Sequence, residues 1–158
     1  MKGDPKIIEM LQEVLKAELT AINQYFLHAE MAENWGYEAL AKHTRKESIE
    51  EMRHAEALME RILYLDGTPT MTELFKINVG PNVEQQMKND LELEYTAVKR
   101  LNAFVRHATE LNDTGTRELF EHILTDEEEH IDYLEAQLHA IGEMGIANYL
   151  AQQLKGDE

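Results

Sequence analysis

Glu51-Met52-Arg53-His54 and Glu127-Glu128-Glu129-His130 decide how this chain is read, because each sets a carboxylate and an imidazole three residues apart. At 3.6 residues per turn the two side chains share one helix face. That face is apolar in both cases. Ala55, Leu58 and Ile62 flank the first pair, and Phe120, Ile123, Ile131 and Leu134 flank the second. Ionisable groups on a buried stripe are expelled or neutralised unless something compensates them. Two further carboxylates interrupt apolar stripes in the same way: Glu18 among Leu11, Val14, Leu15 and Ile22, and Glu94 among Met87, Leu91, Val98 and Leu101. Position 51 follows 18 by 33 residues, and 127 follows 94 by the same 33. Each half of the chain therefore carries a Glu and, at one fixed interval, a Glu-x-x-His.

Outward from these stretches the helical period extends over four long segments. Asp4-Pro5 suits a helix start, Asp as a cap and Pro at the first helical position, and the first helix is expected to run to about Glu33. Asn34-Trp35-Gly36 breaks it, and a second period runs from near Tyr37 to about Leu65. Asp66-Gly67-Thr68-Pro69 ends that helix, with Gly67 expected just beyond the last turn. Periodicity is then lost as far as Asn82, a connection long enough to cross the length of a bundle. Asn82 with Gln85 resembles a capping box and opens a third helix, expected to last to about Leu111. After the turn Asn112-Asp113-Thr114-Gly115, a fourth spans roughly Thr116 to Glu143. Gly145 closes it, Ile146 to about Leu154 suits a short fifth helix, and a polar tail follows. Joined short, long, short, these elements predict an all-α four-helix bundle with one long crossover, the ferritin-like connectivity, plus a short fifth C-terminal helix.

Length and composition agree with one domain over residues 1–158. A net charge of −16 argues against nucleic acid as a partner and favours cations at the surface. The absence of cysteine excludes disulfides, thiolate metal sites and cysteine nucleophiles. The opening Met1-Lys2-Gly3-Asp4-Pro5 has no apolar run of signal-peptide type and no span of about 20 apolar residues follows, so the cytoplasm is the expected compartment and no membrane is expected as a partner.

If all four stripes face one axis, Glu18, Glu51, His54, Glu94, Glu127 and His130 meet near mid-bundle. Four carboxylates and two imidazoles are the donor set of ferritin-like di-iron and di-manganese proteins. Charge counting supports it: four carboxylates against two divalent cations leave a neutral centre with neutral His as donors. Oxygen-rich ligation with one imidazole per metal suits iron or manganese better than a structural zinc site. A buried salt-bridge network is the competing account, and its weakness is that the stripes offer no Lys or Arg to pair with the carboxylates. Tyr25 lies on the face of Glu18, within reach of a carboxylate ligand. Asp126 is expected to orient a ligand His from a neighbouring helix, while for Glu50 the same role and a solvated face are both open.

Over essentially its whole length the sequence resembles the bacterioferritins. The likeness rests on Met1-Lys2-Gly3-Asp4, Glu18-Leu19-Thr20-Ala21-Ile22-Asn23-Gln24-Tyr25-Phe26-Leu27-His28, Glu47-Ser48-Ile49-Glu50-Glu51-Met52-Arg53-His54-Ala55 and Asp126-Glu127-Glu128-Glu129-His130-Ile131-Asp132-Tyr133-Leu134-Glu135. The resemblance implies a homo-oligomeric shell of 24 subunits built from two-fold dimers. Each subunit would oxidise Fe(II) with dioxygen or peroxide at an intrasubunit ferroxidase centre of two iron ions, and the shell would store the ferric mineral. It implies Glu18, Glu51, His54, Glu94, Glu127 and His130 as metal ligands, with Glu51 and Glu127 as bridges. It further implies that Met52, pointing about 100° away from the centre, binds a haem b shared between two subunits, and that a small ferredoxin drives iron release. Leu19, Ile22, Asn23, Phe26, Ile49 and Met59 lie on adjoining faces suited to line such a pocket. The chain departs from some of these proteins at Lys46, where certain members have a His that helps bind iron on the inner surface. The alternative within the same chemistry is a di-iron carboxylate peroxidase or oxygenase without mineral storage.

Overall fold

The computed structural model describes residues 1–155, and of the expected polar tail residues 156–158 lie outside the described residues. Five helices follow one another: α1 (Pro5–Asn34), α2 (Glu38–Tyr64), α3 (Val83–Glu110), α4 (Thr114–Met144) and α5 (Ile146–Ala151). Asp4 caps α1 by accepting the Lys6 N–H, and Asn82 caps α3 by accepting the Gln85 N–H, as the sequence suggests. Three boundaries differ from expectation. α4 begins two residues early because Asp113 accepts the Thr116 N–H and so admits Thr114 and Gly115 to the first turn. The left-handed residue after α2 is Asp66, at φ 63°, and not Gly67. Gly67 instead donates its N–H to Ile62 O, and a Cβ there would lie 2.9 Å from Ile62 Cγ2. α5 stops at Ala151, where turns take over.

α1 and α2 form one antiparallel hairpin and α3 and α4 the other; between the hairpins α1 packs on α3, and α2 packs more loosely on α4. The core is split. One apolar cluster, with Leu11, Leu15, Leu58, Ile62, Phe120 and Ile123 at its heart, fills the end where α1 begins. A second, around Ala32, Leu40, Met87, Leu134 and Ile141, fills the other end. The polar side chains that interrupt the stripes occupy the gap.

The crossover runs along α1 without secondary structure of its own, so its backbone groups need partners from elsewhere. Polar side chains of α1 supply them. Gln12 Oε1 accepts the Thr70 N–H at 3.0 Å, Thr20 Oγ1 that of Phe75 at 2.9 Å, Gln24 Oε1 that of Asn78 at 3.0 Å and His28 Nε2 that of Gly80 at 3.1 Å. Phe75 sits between the Lys16 ammonium and the Arg100 guanidinium, 4.3 and 5.0 Å from its ring centre. His28 passes its other nitrogen to Asp90 at 2.9 Å, and Gln24 donates to the same carboxylate oxygen at 2.8 Å, so α1, the crossover and α3 are tied into one polar ladder.

Candidate metal centre

α1 contributes Glu18, α2 Glu51 and His54, α3 Glu94, and α4 Glu127 and His130, and all six are buried. Their donor atoms form two overlapping sets. Glu18, Glu51, His54 and Glu127 offer atoms within 4.8 Å of one another, and so do Glu51, Glu94, Glu127 and His130. Glu51 and Glu127 belong to both. His54 Nδ1 lies 3.5 Å from Glu18, 3.6 Å from Glu51 and 3.3 Å from Glu127; His130 Nδ1 lies 3.1 Å from Glu51, 3.5 Å from Glu94 and 3.8 Å from Glu127. The structure thus brings together every residue of the expected ligand set, at spacings one cation on each side can span.

Hydrogen bonding leaves this centre unfinished. Among the described residues, the buried side-chain nitrogens and oxygens without a hydrogen-bond partner are Glu18 Oε2, both oxygens of Glu51, His54 Nδ1, Glu94 Oε2, Glu127 Oε1 and His130 Nδ1, apart from Arg117 Nε, which is 3.0 Å from the Glu121 carboxylate. Each buried orphan costs on the order of 1–3 kcal/mol, more when charged. A packed core does not collect seven by accident, and a pair of cations would satisfy them all.

The outer nitrogens of both imidazoles are held. Asp126 Oδ2 is 2.7 Å from His54 Nε2, and Glu50 Oε2 is 2.8 Å from His130 Nε2, so each ring is turned with Nδ1 inward. The role expected of Asp126 is thus seen, and the question open for Glu50 is answered the same way. These two carboxylates are 31% and 35% exposed, which makes the seam between α2 and α4 the side on which the centre meets solvent. On the opposite side Tyr25 donates its hydroxyl to Glu94. Burial and the carboxylates around it push the Tyr25 pKa far up, so that proton stays on the phenol.

The clustered carboxylates and imidazoles shift one another's titration. Burial alone would lower the His130 pKa, but Glu51 and Glu94 outweigh it and push it up to about 12. His54 is raised by Glu51 and Asp126 against the same burial. Burial raises Glu94, and burial with the neighbouring Glu51 and Glu94 charges raises Glu127 well above the carboxylate range. Glu51 is held low, because the two imidazoles overcome its burial.

Met52 is on the outside of α2 and 54% exposed, and Phe26 on α1 and Ile49 on α2 are also exposed. Of the other residues expected to line a haem pocket, Asn23 is exposed, Ile22 and Met59 are half-buried and Leu19 is buried. The α1–crossover–α3 ladder of Gln24, His28 and Asp90 was not anticipated. No helix among the described residues is long and apolar enough to cross a membrane.

The Ferritin-like domain family matches residues 8–144. Among curated proteins, the chain is 49% identical over 152 residues to a protein named bacterioferritin in Mycolicibacterium paratuberculosis, covering 96% of each chain. It is 50% identical over 151 residues to a bacterioferritin of Streptomyces coelicolor, covering 96% of this chain and 90% of that one. A bacterioferritin of Brucella melitensis is 42% identical over 149 residues, with 94% and 92% covered.

Proposed function

The chain belongs to the bacterioferritin family, and from that premise we propose that it stores and detoxifies iron by oxidising Fe(II) to Fe(III) at the six-residue centre, as a single ferritin-like di-iron domain assembled into a closed shell of 24 copies. The observation that carries this reading is the sharing of Glu51 and Glu127 between two donor sets whose inward atoms have no other partner. Such a set receives two Fe(II) ions side by side, each with one imidazole. Each ion gives up one electron, and the pair reduces one dioxygen to peroxide, or one peroxide to two waters, with uptake of two protons. The chain's own part is to bind, orient and neutralise. Four carboxylates balance two divalent ions, Asp126 and Glu50 fix the imidazoles, and Tyr25 steadies Glu94 from behind.

The exposed Met52 thioether, with apolar Phe26 and Ile49 also exposed, suits a haem b shared by two copies across a two-fold axis. Bound there, the haem supplies a one-electron route toward stored iron, with a small ferredoxin as the electron donor. The reading puts the protein in the cytoplasm.

Glu94→Ala tests the central claim. The variant should remain folded and assembled while its fast Fe(II) oxidation, followed by stopped-flow absorbance under air, falls at least 10- to 100-fold. Unchanged oxidation would remove the centre from the mechanism. The alternative, a di-iron peroxidase or oxygenase without storage, predicts no more than two irons retained per chain after aerobic loading, where storage predicts many.

A further inference from the structure

The two halves of the chain repeat at an interval of 76 positions: 51 corresponds to 127, 54 to 130 and 50 to 126. The structure makes the correspondence physical, since Glu50 holds His130 as Asp126 holds His54. One turn earlier on each helix the halves diverge. Position 46 is Lys, and its counterpart at 122 is His.

His122 lies on α4, 73% exposed, with Nε2 3.7 Å from Asp126 Oδ2. Its ring is nearly perpendicular to that of His54, 6.4 Å between centres. A single cation bound at about 2.1 Å to each donor reaches both atoms, because twice that length exceeds their separation. The i, i+4 placement on a helix keeps the pair facing one way. Asp126 Oδ2 accepts from His54 Nε2 at 2.7 Å and retains a second lone pair, so chelation does not require it to release His54. At the matching place on α2 a Lys46 ammonium has no lone pair to offer, and its charge repels a cation beside Glu50.

We propose that His122 and Asp126 bind a third divalent cation on the α2–α4 seam, directly outside His54, as a one-sided station for iron moving between solvent and the centre. The cation site stands on the donor pair alone, while its role as an iron station rests on the storage reading above. Because Asp126 also fixes the tautomer of His54, an ion arriving at the station is one carboxylate away from the first ligand of the centre.

The test is equilibrium dialysis of the full-length, metal-free protein against Zn(II) alone, for wild type and His122→Ala. An exposed histidine can be removed without disturbing the core, so both proteins fold. His122→Ala should bind one Zn(II) fewer per chain, and anomalous scattering at the zinc edge should show the missing ion between residues 122 and 126 in wild type. Equal stoichiometry in the two proteins, or wild-type zinc absent from that position, overturns the proposal. The ions that His122→Ala retains report separately on the six-residue centre, so failure of one reading is not mistaken for failure of the other.

Discussion

Burial, with the charges of Glu51 and Glu94 beside it, pushes the Glu127 carboxyl well above the ordinary carboxylate range. His54 and His130 are raised for a different reason, by the carboxylates they face. Metals need these donors deprotonated, so filling the centre must expel protons, and affinity should rise with pH. The stability argument has the same sign. A carboxyl whose folded pKa is raised costs nothing below its unfolded value of about 4.3, and it destabilises the metal-free fold increasingly as pH climbs toward the folded value. His130, raised to about 12, gives its full stabilisation only below its unfolded value of about 6.5, and that contribution shrinks steadily as pH climbs from there toward 12. Zinc loading should therefore raise the melting temperature by more at pH 8 than at pH 6, measured by calorimetry in matched buffers; an equal or smaller rise at pH 8 would contradict the assignment. The convergence of these six residues was legible in the sequence because each breaks an apolar stripe in register with a repeat. Glu50 was legible only as one of two alternatives, since a half-exposed Glu looks like any solvated one; the hint lay in its standing to Glu51 as Asp126 stands to Glu127.

Among the elements, the four long helices could be read from periodicity and caps, and their ends fall within two residues of expectation. The crossover could not. Its hold on α1 depends on Gln12, Thr20, Gln24 and His28, which in sequence look like polar residues on a wet face, and nothing in an aperiodic segment says which helix it will lie on. That ladder makes the segment sensitive to single changes. Gln24→Leu strands the Asn78 N–H and removes a donor from Asp90, each worth on the order of 1–3 kcal/mol. Amide exchange at residues 75–80 should accelerate by about tenfold or more, with α4 unaffected, as read by hydrogen–deuterium mass spectrometry. Gly80→Ala acts on the same anchor through sterics, since a Cβ there would lie 2.4 Å from Gln86 N, and it should lower the melting temperature by several degrees.

For the whole molecule, the proposed shell of 24 copies of an 18.3 kDa chain would be a particle of about 440 kDa, which light scattering after size exclusion would register directly. Met52→Leu should leave that mass unchanged while abolishing the Soret band of protein produced with ample haem; a retained band would move the haem elsewhere. Bundle, crossover and centre are all visible within one chain, whereas contacts of the proposed shell would lie between copies, and exposed side chains such as Phe26 and Met52 look the same on any monomer. The stitching of the crossover to α1 and α3 has one more effect, because it shuts one flank of the bundle while the α2–α4 flank stays ajar. Each subunit therefore has a front and a back. On the storage reading small ions would change places with solvent through the front, and a chelator too bulky to cross the wall of the proposed shell would strip the protein quickly only if that front looks outward.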